Sequence, residues 1–242
     1  DSLDAAYSMN GLASVLRWQG DYAGAEALLR KIVAFRVRVL GADHPETLGA
    51  QANLALTLSE SGSQEEAATL AEQVWAARIR VLGGEHPVTL ASAHTLATIQ
   101  RRRGRLQEAE TLLAAASEAA QRVLAPGHPT ALLLAGAQGE VLTLRKKFDA
   151  AVAWLRANVA QREKAGSNGW QFYADRALLG AALVGQGKFA EAEPHLLAGA
   201  GGLAERETST PASQRYRRAE SRAWLAELYE RWGRPAEAAK WR

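Results

Sequence analysis

The chain has 242 residues, of which 48% are hydrophobic and 23% are charged, and its formal net charge is +3. This composition supplies ample apolar material for a core, and so weak a positive charge does not by itself favour a nucleic-acid partner. The lack of cysteine excludes disulfides and thiolate metal sites. Uncharged stretches are far shorter than the roughly 20 apolar residues of a membrane span. We therefore expect a cytoplasmic protein without a membrane segment. Because the chain begins at Asp1 with neither an initiator methionine nor a signal peptide, we also expect it to be part of a longer protein.

The first unit of the chain has the pattern of two amphipathic helices on either side of Gly20. The apolar residues at helical spacing are Leu12, Val15 and Leu16 before this glycine, and Ala25, Leu28, Leu29 and Ile32 after it. Glycine suits the end of the first helix because it accepts the left-handed backbone conformation. The sequence therefore predicts a helix pair.

A His-Pro dipeptide follows this unit and recurs at a fixed interval. The three histidines are His44, His86 and His128, each 42 residues from the next. A constant period of this length is typical of a repeat protein, and repeat arrays generally bind partners along an extended surface rather than catalyse reactions. Proline is well tolerated in the first turn of a helix, so we interpret each dipeptide as the start of the next helix pair, with histidine packing against or capping that start.

Glycine and alanine repeat in the same register. The turn glycines are Gly20, Gly62, Gly104, Gly187 and Gly233, with Lys146 in the fourth unit. Five residues after each of these six positions stands an alanine, namely Ala25, Ala67, Ala109, Ala151, Ala192 or Ala238. A small side chain at one fixed place in every second helix lets neighbouring helices approach closely.

These patterns predict five complete helix pairs and a sixth that stops inside its second helix. The predicted repeats are approximately 3-43, 44-85, 86-127, 128-166, 170-206 and 211-242. No segment alternates with the period of a strand. The expected fold is an all-α, right-handed superhelical solenoid of antiparallel helix pairs, forming a single domain over residues 1-242.

The combination of Asn-x-Leu-Ala, a turn glycine, Ala-Glu-Ala and Gly-x-x-His-Pro-x-Thr-Leu resembles the tetratricopeptide repeat in the 42-residue form typified by kinesin light chain. The resemblance covers essentially the whole chain. The C-terminal third, including Gly185–Pro194 and Leu228–Arg242, resembles the repeats attached to many bacterial serine/threonine kinases. Lys146 and the dipeptide Gln138-Gly139 depart from the family pattern, so we expect the fourth pair to be less regular.

The residues that could carry chemistry favour structure over catalysis. Equivalent positions in successive pairs are two helix packings of roughly 8 to 10 Å apart, so the three histidines cannot share a metal ion. No P-loop, Gly-x-Ser-x-Gly, His-Glu-x-x-His or kinase motif is present. Glutamate pairs such as Glu191 and Glu193 lie two residues apart and do not face each other on a helix. We expect no enzyme activity, no cofactor and no metal.

Binding residues are expected on the first helices, since these line the concave surface of a helix-pair solenoid. Register with the family places the groove candidates at Asn10, Ser14, Arg17, Trp18, Asn53, Leu56, His94, Thr98, Arg101, Arg102 and Glu140. Asn10 and Asn53 have two interpretations: their amides pair with the backbone of a bound peptide, or they only hold neighbouring repeats in register. Trp18 offers a large apolar anchor.

The basic run Arg101–Arg105 also has several interpretations. Arginines near a helix C-terminus complement the helix dipole, and guanidinium groups on a groove edge can bind carboxylates of a partner. Nucleic acid is the weaker interpretation, because no stacking platform accompanies the charges. The leading hypothesis is a scaffold that binds a protein or peptide segment. The alternative is a regulatory or dimerisation module of a larger signalling protein, such as a kinase with its catalytic domain upstream.

Overall fold

The computed structural model describes residues 2–242, and within that range it contains α-helices and two short 3-10 turns but no strand. The α-helices are α1 (Leu3–Gln19), α2 (Tyr22–Leu40), α3 (Pro45–Ser61), α4 (Gln64–Leu82), α5 (Pro87–Arg102), α6 (Leu106–Val123), α7 (Pro129–Leu144), α8 (Phe148–Lys164), α9 (Trp170–Gly185), α10 (Phe189–Glu205), α11 (Tyr216–Arg231) and α12 (Pro235–Ala238). The 3-10 turns are Glu207–Ser209 and Ala212–Gln214. The predicted all-α solenoid of helix pairs is confirmed.

Each His-Pro dipeptide starts a helix through the same local contact. The Nδ1 atom of the histidine accepts a hydrogen bond from the backbone N–H two residues later, at 3.2 Å in His44, His86 and His128 alike. The proline occupies the first turn, where its missing N–H leaves no acceptor unpaired. The histidines are therefore helix caps, each committed to its own helix.

The turn between the two helices of a pair requires a left-handed residue. Gly20 has a φ of 94°, and its successor Asp21 donates a backbone hydrogen bond to the Leu16 carbonyl, as expected for a helix-ending glycine motif. Lys146 adopts the same conformation in the fourth pair, with a φ of 58°, and is the one non-glycine residue in the described range with a positive φ. Lysine therefore fits the turn despite the strain of roughly 1–2 kcal/mol that a β-carbon adds there.

The recurring alanine of the second helices is a packing position. All six alanines are completely buried, each with 0% of its surface exposed. Alanine places only a β-carbon at these buried positions, in an interior that is packed as densely as an organic crystal. The complete burial agrees with the close-approach role predicted for this position.

The expectation of an irregular fourth pair is wrong. Helix α7 runs without interruption through Gln138 and Gly139, and α8 follows after a short turn. A β-carbon built on Gly139 would lie 2.4 Å from Cγ of Leu155, a residue of α8 with 0% exposure. Glycine thus leaves room for the Leu155 side chain of α8. The departure from the family pattern at Gln138-Gly139 therefore preserves the packing of α7 on α8.

The described residues form two compact units. Unit 1 comprises the residues through Val123 together with Pro211–Ser213, and unit 2 comprises Leu124–Thr210 and Gln214–Arg242. In unit 1, each helix packs on the next, and the first helices also touch one another, α1 on α3 and α3 on α5. In unit 2 the same holds for α7 on α9 and α9 on α11.

Each unit has its own apolar core. The core of unit 1 includes Leu29, Ile32 and Leu58, all at most 2% exposed. The core of unit 2 includes Leu155 and Leu196, with partly buried tryptophans packed around it. Within residues 2–242, no helix is both long enough and apolar enough to cross a membrane.

Candidate functional site: the first-helix surface

The residues predicted to bind a partner lie mainly on one surface of unit 1. We call it the first-helix surface and define it by residues of α1, α3 and α5. The defining residues are Asn10, Ser14, Arg17, Trp18, Asn53, Leu56, Ser59, Glu60, His94, Thr98, Arg101 and Arg102. Their positions repeat with the 42-residue period, so that Trp18, Glu60 and Arg102 are equivalent. Because first helices pack directly on one another in this unit, their side chains are brought together.

The two asparagines meet across the boundary between the first and second pairs. The Asn53 side-chain amide donates to the Asn10 side-chain oxygen at 3.3 Å. The Ser14 hydroxyl donates to the backbone carbonyl of Asn10 at 3.0 Å, so this side chain is bound to its own helix. This geometry ties α1 to α3 and supports the register interpretation of the asparagines. Each amide has further donor or acceptor positions, so the contact is compatible with peptide binding.

An ion cluster joins all three first helices of the unit. Arg17 lies 3.4 Å from a carboxylate oxygen of Glu60, and Arg102 approaches the same carboxylate from the other side at 3.9 Å. The Glu60 side chain is only 6% exposed. Arg102 also donates to the Ser59 hydroxyl at 3.2 Å. Ser59 and Glu60 were not predicted from the sequence, although Ser59 stands in register with the predicted Arg17 and Arg101, and Glu60 with Trp18 and Arg102.

The remaining predicted residues of this surface differ in their exposure. Trp18 exposes 43% of its surface, which is a large area for an indole. Leu56, His94, Thr98 and Arg101 are half-buried. The surface thus combines an exposed aromatic side chain with amides and guanidinium groups, a mixture that is enriched in protein interfaces.

Glu140 does not fit the expectation of an accessible groove contact. It lies on α7 in unit 2, is 9% exposed, and accepts a hydrogen bond from the Arg217 guanidinium of α11 at 2.9 Å. Burial acts to lower the pKa of Arg217, but the Glu140 carboxylate, together with Tyr216 and Glu220, holds that pKa above its ordinary value. The ion pair therefore connects α7 with α11, although its two residues are 77 positions apart in the chain.

A recess in unit 2 borders this ion pair. It encloses about 250 Å³ between α7, α9 and α11, and its apolar wall includes Phe148, Leu178 and Trp224. A β-carbon on Gly185 would lie 2.4 Å from the Phe148 ring, so the glycine allows that ring to take its place in the wall. Unit 2 thus has its own concave feature on first helices.

The most buried carboxylate of unit 2 belongs to Asp175, whose hydrogen-bond partners lie on the neighbouring helix α8. Asp175 accepts hydrogen bonds from Arg162 at 2.7 Å and from the Asn158 amide at 2.8 Å. Burial raises the pKa of Asp175 to about 6, and the charge of Arg162 opposes that rise. Among residues 2–242, no group of three or more histidine, aspartate or glutamate side chains has an arrangement that could hold a metal ion. The network links α8 to α9.

Comparisons with known proteins agree with this architecture. The family model for the tetratricopeptide repeat matches residues 4–80 and 89–164, and a second tetratricopeptide model matches 176–198. No curated protein matches the sequence.

Solved structures show the same fold. A putative kinesin light chain of Podosopora anserina, with nearly identical repeats similar to tetratricopeptide repeats, is 30% identical with a TM-score of 0.67; the match covers 82% of this chain and 95% of that one. BtubC (BKLC) from P. vanneervenii is 15% identical with a TM-score of 0.69, over 89% and 86% of the two chains. The pilF protein of Pseudomonas aeruginosa is 16% identical with a TM-score of 0.62, over 98% and 89%.

The family models span more than half of the chain and coincide with the helix pairs, the left-handed turns and the buried alanines described above. The similar structures include kinesin light chain-like repeat proteins. The chain belongs to the tetratricopeptide repeat family.

Proposed function

We propose that this protein is a non-catalytic scaffold that binds an extended or helical segment of another protein along the first-helix surface. Tetratricopeptide arrays support such a role because their stacked first helices present a long, continuous surface. The observation that carries the proposal is the joined surface of α1, α3 and α5, on which Trp18 is 43% exposed beside a network of amide and charged side chains.

Three kinds of contact would contribute to binding. The Trp18 indole would bury apolar area, the Asn10 and Asn53 amides would pair with a peptide backbone, and arginines such as Arg17 would attract carboxylates of the partner. Arg17 keeps 30% of its side chain exposed while it contacts Glu60, so it reaches solvent from a fixed position. Preorganised side chains lose less entropy when a partner binds.

An affinity experiment tests this function. The wild-type protein and an Asn53→Ala/Arg101→Glu variant are immobilised, and the proteins that each retains from a lysate of the source cells are compared. We expect a protein that the wild type captures and the variant loses. The matched control is Arg122→Glu, which makes the same charge change at an exposed second-helix residue paired with Glu85. Circular dichroism checks that all three chains remain helical. Equal capture by the variant and the wild type would contradict the role of the surface.

The basic run Arg101–Arg105 has a specific environment that favours a protein partner over nucleic acid. Arg102 contacts Ser59 and Glu60, Arg103 forms an ion pair with Glu65, and Arg105 lies 3.6 Å from Glu108. These arginines are held by acidic side chains instead of forming an open positive stripe. We therefore expect no retention of labelled DNA or RNA in filter binding at low salt, where electrostatic binding is strongest.

A second candidate function is that of a dimerisation or regulatory module in a larger signalling protein such as a bacterial serine/threonine kinase. An apolar face of α1 would provide the contact, since Leu12 and Val15 are 50% and 51% exposed. Light scattering on the wild type and a Leu12→Glu/Val15→Glu variant tests self-association. We expect a dimer for the wild type and a monomer for the variant, and a monomeric wild type would count against dimerisation. A kinase domain in the complete reading frame would support the regulatory role.

A further inference from the structure

A recess lies between α1 and α2 and includes no residue of the first-helix surface. It encloses about 330 Å³. Its apolar wall consists of Ala5, Ala6, Met9, Ile32, Ala34 and Phe35. The remaining lining residues are Ser2, Lys31 and Arg38. Every one of these residues belongs to unit 1. The recess is therefore a feature of the first helix pair alone.

The sequence explains why the first pair has this recess. Ala6 stands in register with Leu48, Leu90 and Leu132 of the next three pairs, and all four side chains are at most 4% exposed. In the second pair, Leu48 packs against Val74 and Ala77, which are the equivalents of Ile32 and Phe35. With alanine in place of leucine, the first pair lacks the isobutyl group that covers these positions in the second pair. Without that side chain, Phe35 remains half-buried beside the recess, whereas Ile32 is 1% exposed.

The rim of the recess is positively charged. Lys31 and Arg38 are exposed, and none of the acidic residues in the described range 2–242 lines the recess. Within residues 2–242, neither of these cations has a carboxylate partner. The Arg38 guanidinium lies 5.7 Å from the centroid of the Phe35 ring, so one cation is held directly above the apolar wall. The Ser2 hydroxyl accepts a hydrogen bond from the backbone N–H of Ala5 and caps α1.

We propose that this recess binds a small amphipathic carboxylate, with an apolar body against Phe35 and Met9 and an anionic head between Lys31 and Arg38. Burying apolar area supplies a driving force proportional to the surface removed from water, and charge-assisted hydrogen bonds fix the head group. The volume is at the lower end of the range for small-molecule pockets, about 300–1,000 Å³. It suits a compact body of roughly one aromatic ring and a short alkyl chain rather than a long acyl chain. This site is independent of partner binding on the first-helix surface.

The chain offers a site-specific reporter for this proposal. Met9 lines the recess and is the only methionine in the sequence. Protein labelled with ¹³C at the methionine methyl group is titrated with 4-phenylbutyrate and followed by NMR. The signal is assigned with a Met9→Leu variant, which also identifies any start methionine added for expression. We expect the Met9 signal to shift and saturate. The neutral amide of the same acid should bind at least about fivefold more weakly, because it lacks the charge.

Two variants separate the apolar and the charged contributions. Ala6→Leu restores the leucine of the other pairs, so it should abolish the saturable binding of 4-phenylbutyrate while raising the melting temperature by about 2–4 °C as it fills the space. Lys31→Gln/Arg38→Gln should leave the fold intact and make the acid and the amide bind equally. The wild type binding acid and amide with equal affinity would overturn the proposal, as would unchanged binding of 4-phenylbutyrate by a folded Ala6→Leu protein. Failure of partner capture on the first-helix surface would leave these titrations unaffected.

Discussion

The Asn53 side-chain amide donates a hydrogen bond to the Asn10 side-chain oxygen, 3.3 Å away, and so connects the first helices of two successive pairs. Asn53 is half-buried, as is Asn10. A hydrogen bond in such a place contributes a net free energy of about 0.5–1.5 kcal/mol. Two polar side chains that were candidates for ligand binding therefore also take part in the stacking of the repeats.

A double-mutant cycle tests whether this contact stabilises the fold. We expect Asn10→Ala and Asn53→Ala to lower the free energy of unfolding, with a coupling energy of roughly 0.5–1.5 kcal/mol between them. Urea denaturation followed by circular dichroism gives the four values. If the two effects simply added, the asparagines would not stabilise the array through each other.

The histidine caps predict a specific order of stability among substitutions. His86→Ala removes the acceptor of the Val88 N–H, so it should lower the free energy of unfolding by about 1 kcal/mol. His86→Asn keeps a side-chain acceptor at a position where asparagine is among the preferred caps, and should cost less. Thermal melts of the three proteins provide the comparison. An alanine variant that lost partner binding at unchanged stability would show that the histidine contacts the ligand instead.

Lys146 occupies a turn that glycine fills in the other complete pairs. Lys146→Gly should raise the free energy of unfolding by roughly 0.5–1 kcal/mol, because glycine has no β-carbon to strain a φ of 58°. The matched control is Lys146→Ala, which also removes the charge but keeps a β-carbon at the same positive φ. The urea midpoint should rise for Lys146→Gly and not for Lys146→Ala. A control as stabilising as Lys146→Gly would mean that the loss of charge, and not the backbone conformation, explains the effect.

His195 of α10 predicts a pH dependence of stability. Burial lowers its pKa, and the nearby charge of Arg176 lowers it further. Below the ordinary histidine pKa of about 6.5, the unfolded chain therefore takes up a proton that the folded chain resists. The contribution of His195 to folding stability should fall as the pH drops from 7 to 5. His195→Gln should reduce this dependence, as measured by urea denaturation at each pH. Identical pH profiles for the two proteins would contradict the assignment.

Much of the fold follows from local rules that a sequence displays directly. The left-handed conformation at Gly20 and the helix cap at His44 depend on residues within a few positions of each other, so periodicity and turn chemistry suffice to predict them. The complete burial of Ala25 and its equivalents follows from the same register. Local rules did not predict the backbone of Lys146, because lysine is not a residue type that typically adopts the left-handed conformation of the turn glycines.

The candidate site was harder to predict, because its contacts join distant parts of the chain. The Asn10–Asn53 bond and the Arg17–Glu60 pair span 43 residues, and register alone places such residues near each other without showing that they pair. Glu140 was expected to be accessible, but its partner Arg217 is 77 residues away. Arg217 lies between Ala192 and Ala238, which are 238 − 192 = 46 residues apart instead of 42. Such a pairing depends on tertiary packing.

The central claim, that the first-helix surface binds a protein partner, is tested most directly by the dissociation constant of the first purified partner. We predict that Asn53→Ala/Arg101→Glu weakens binding by about tenfold or more, a difference of about 1.4 kcal/mol or more in binding free energy. Arg122→Glu should stay within about twofold of the wild type, since exposed charges outside an interface change affinity little. An unchanged dissociation constant in a folded double variant would contradict the account.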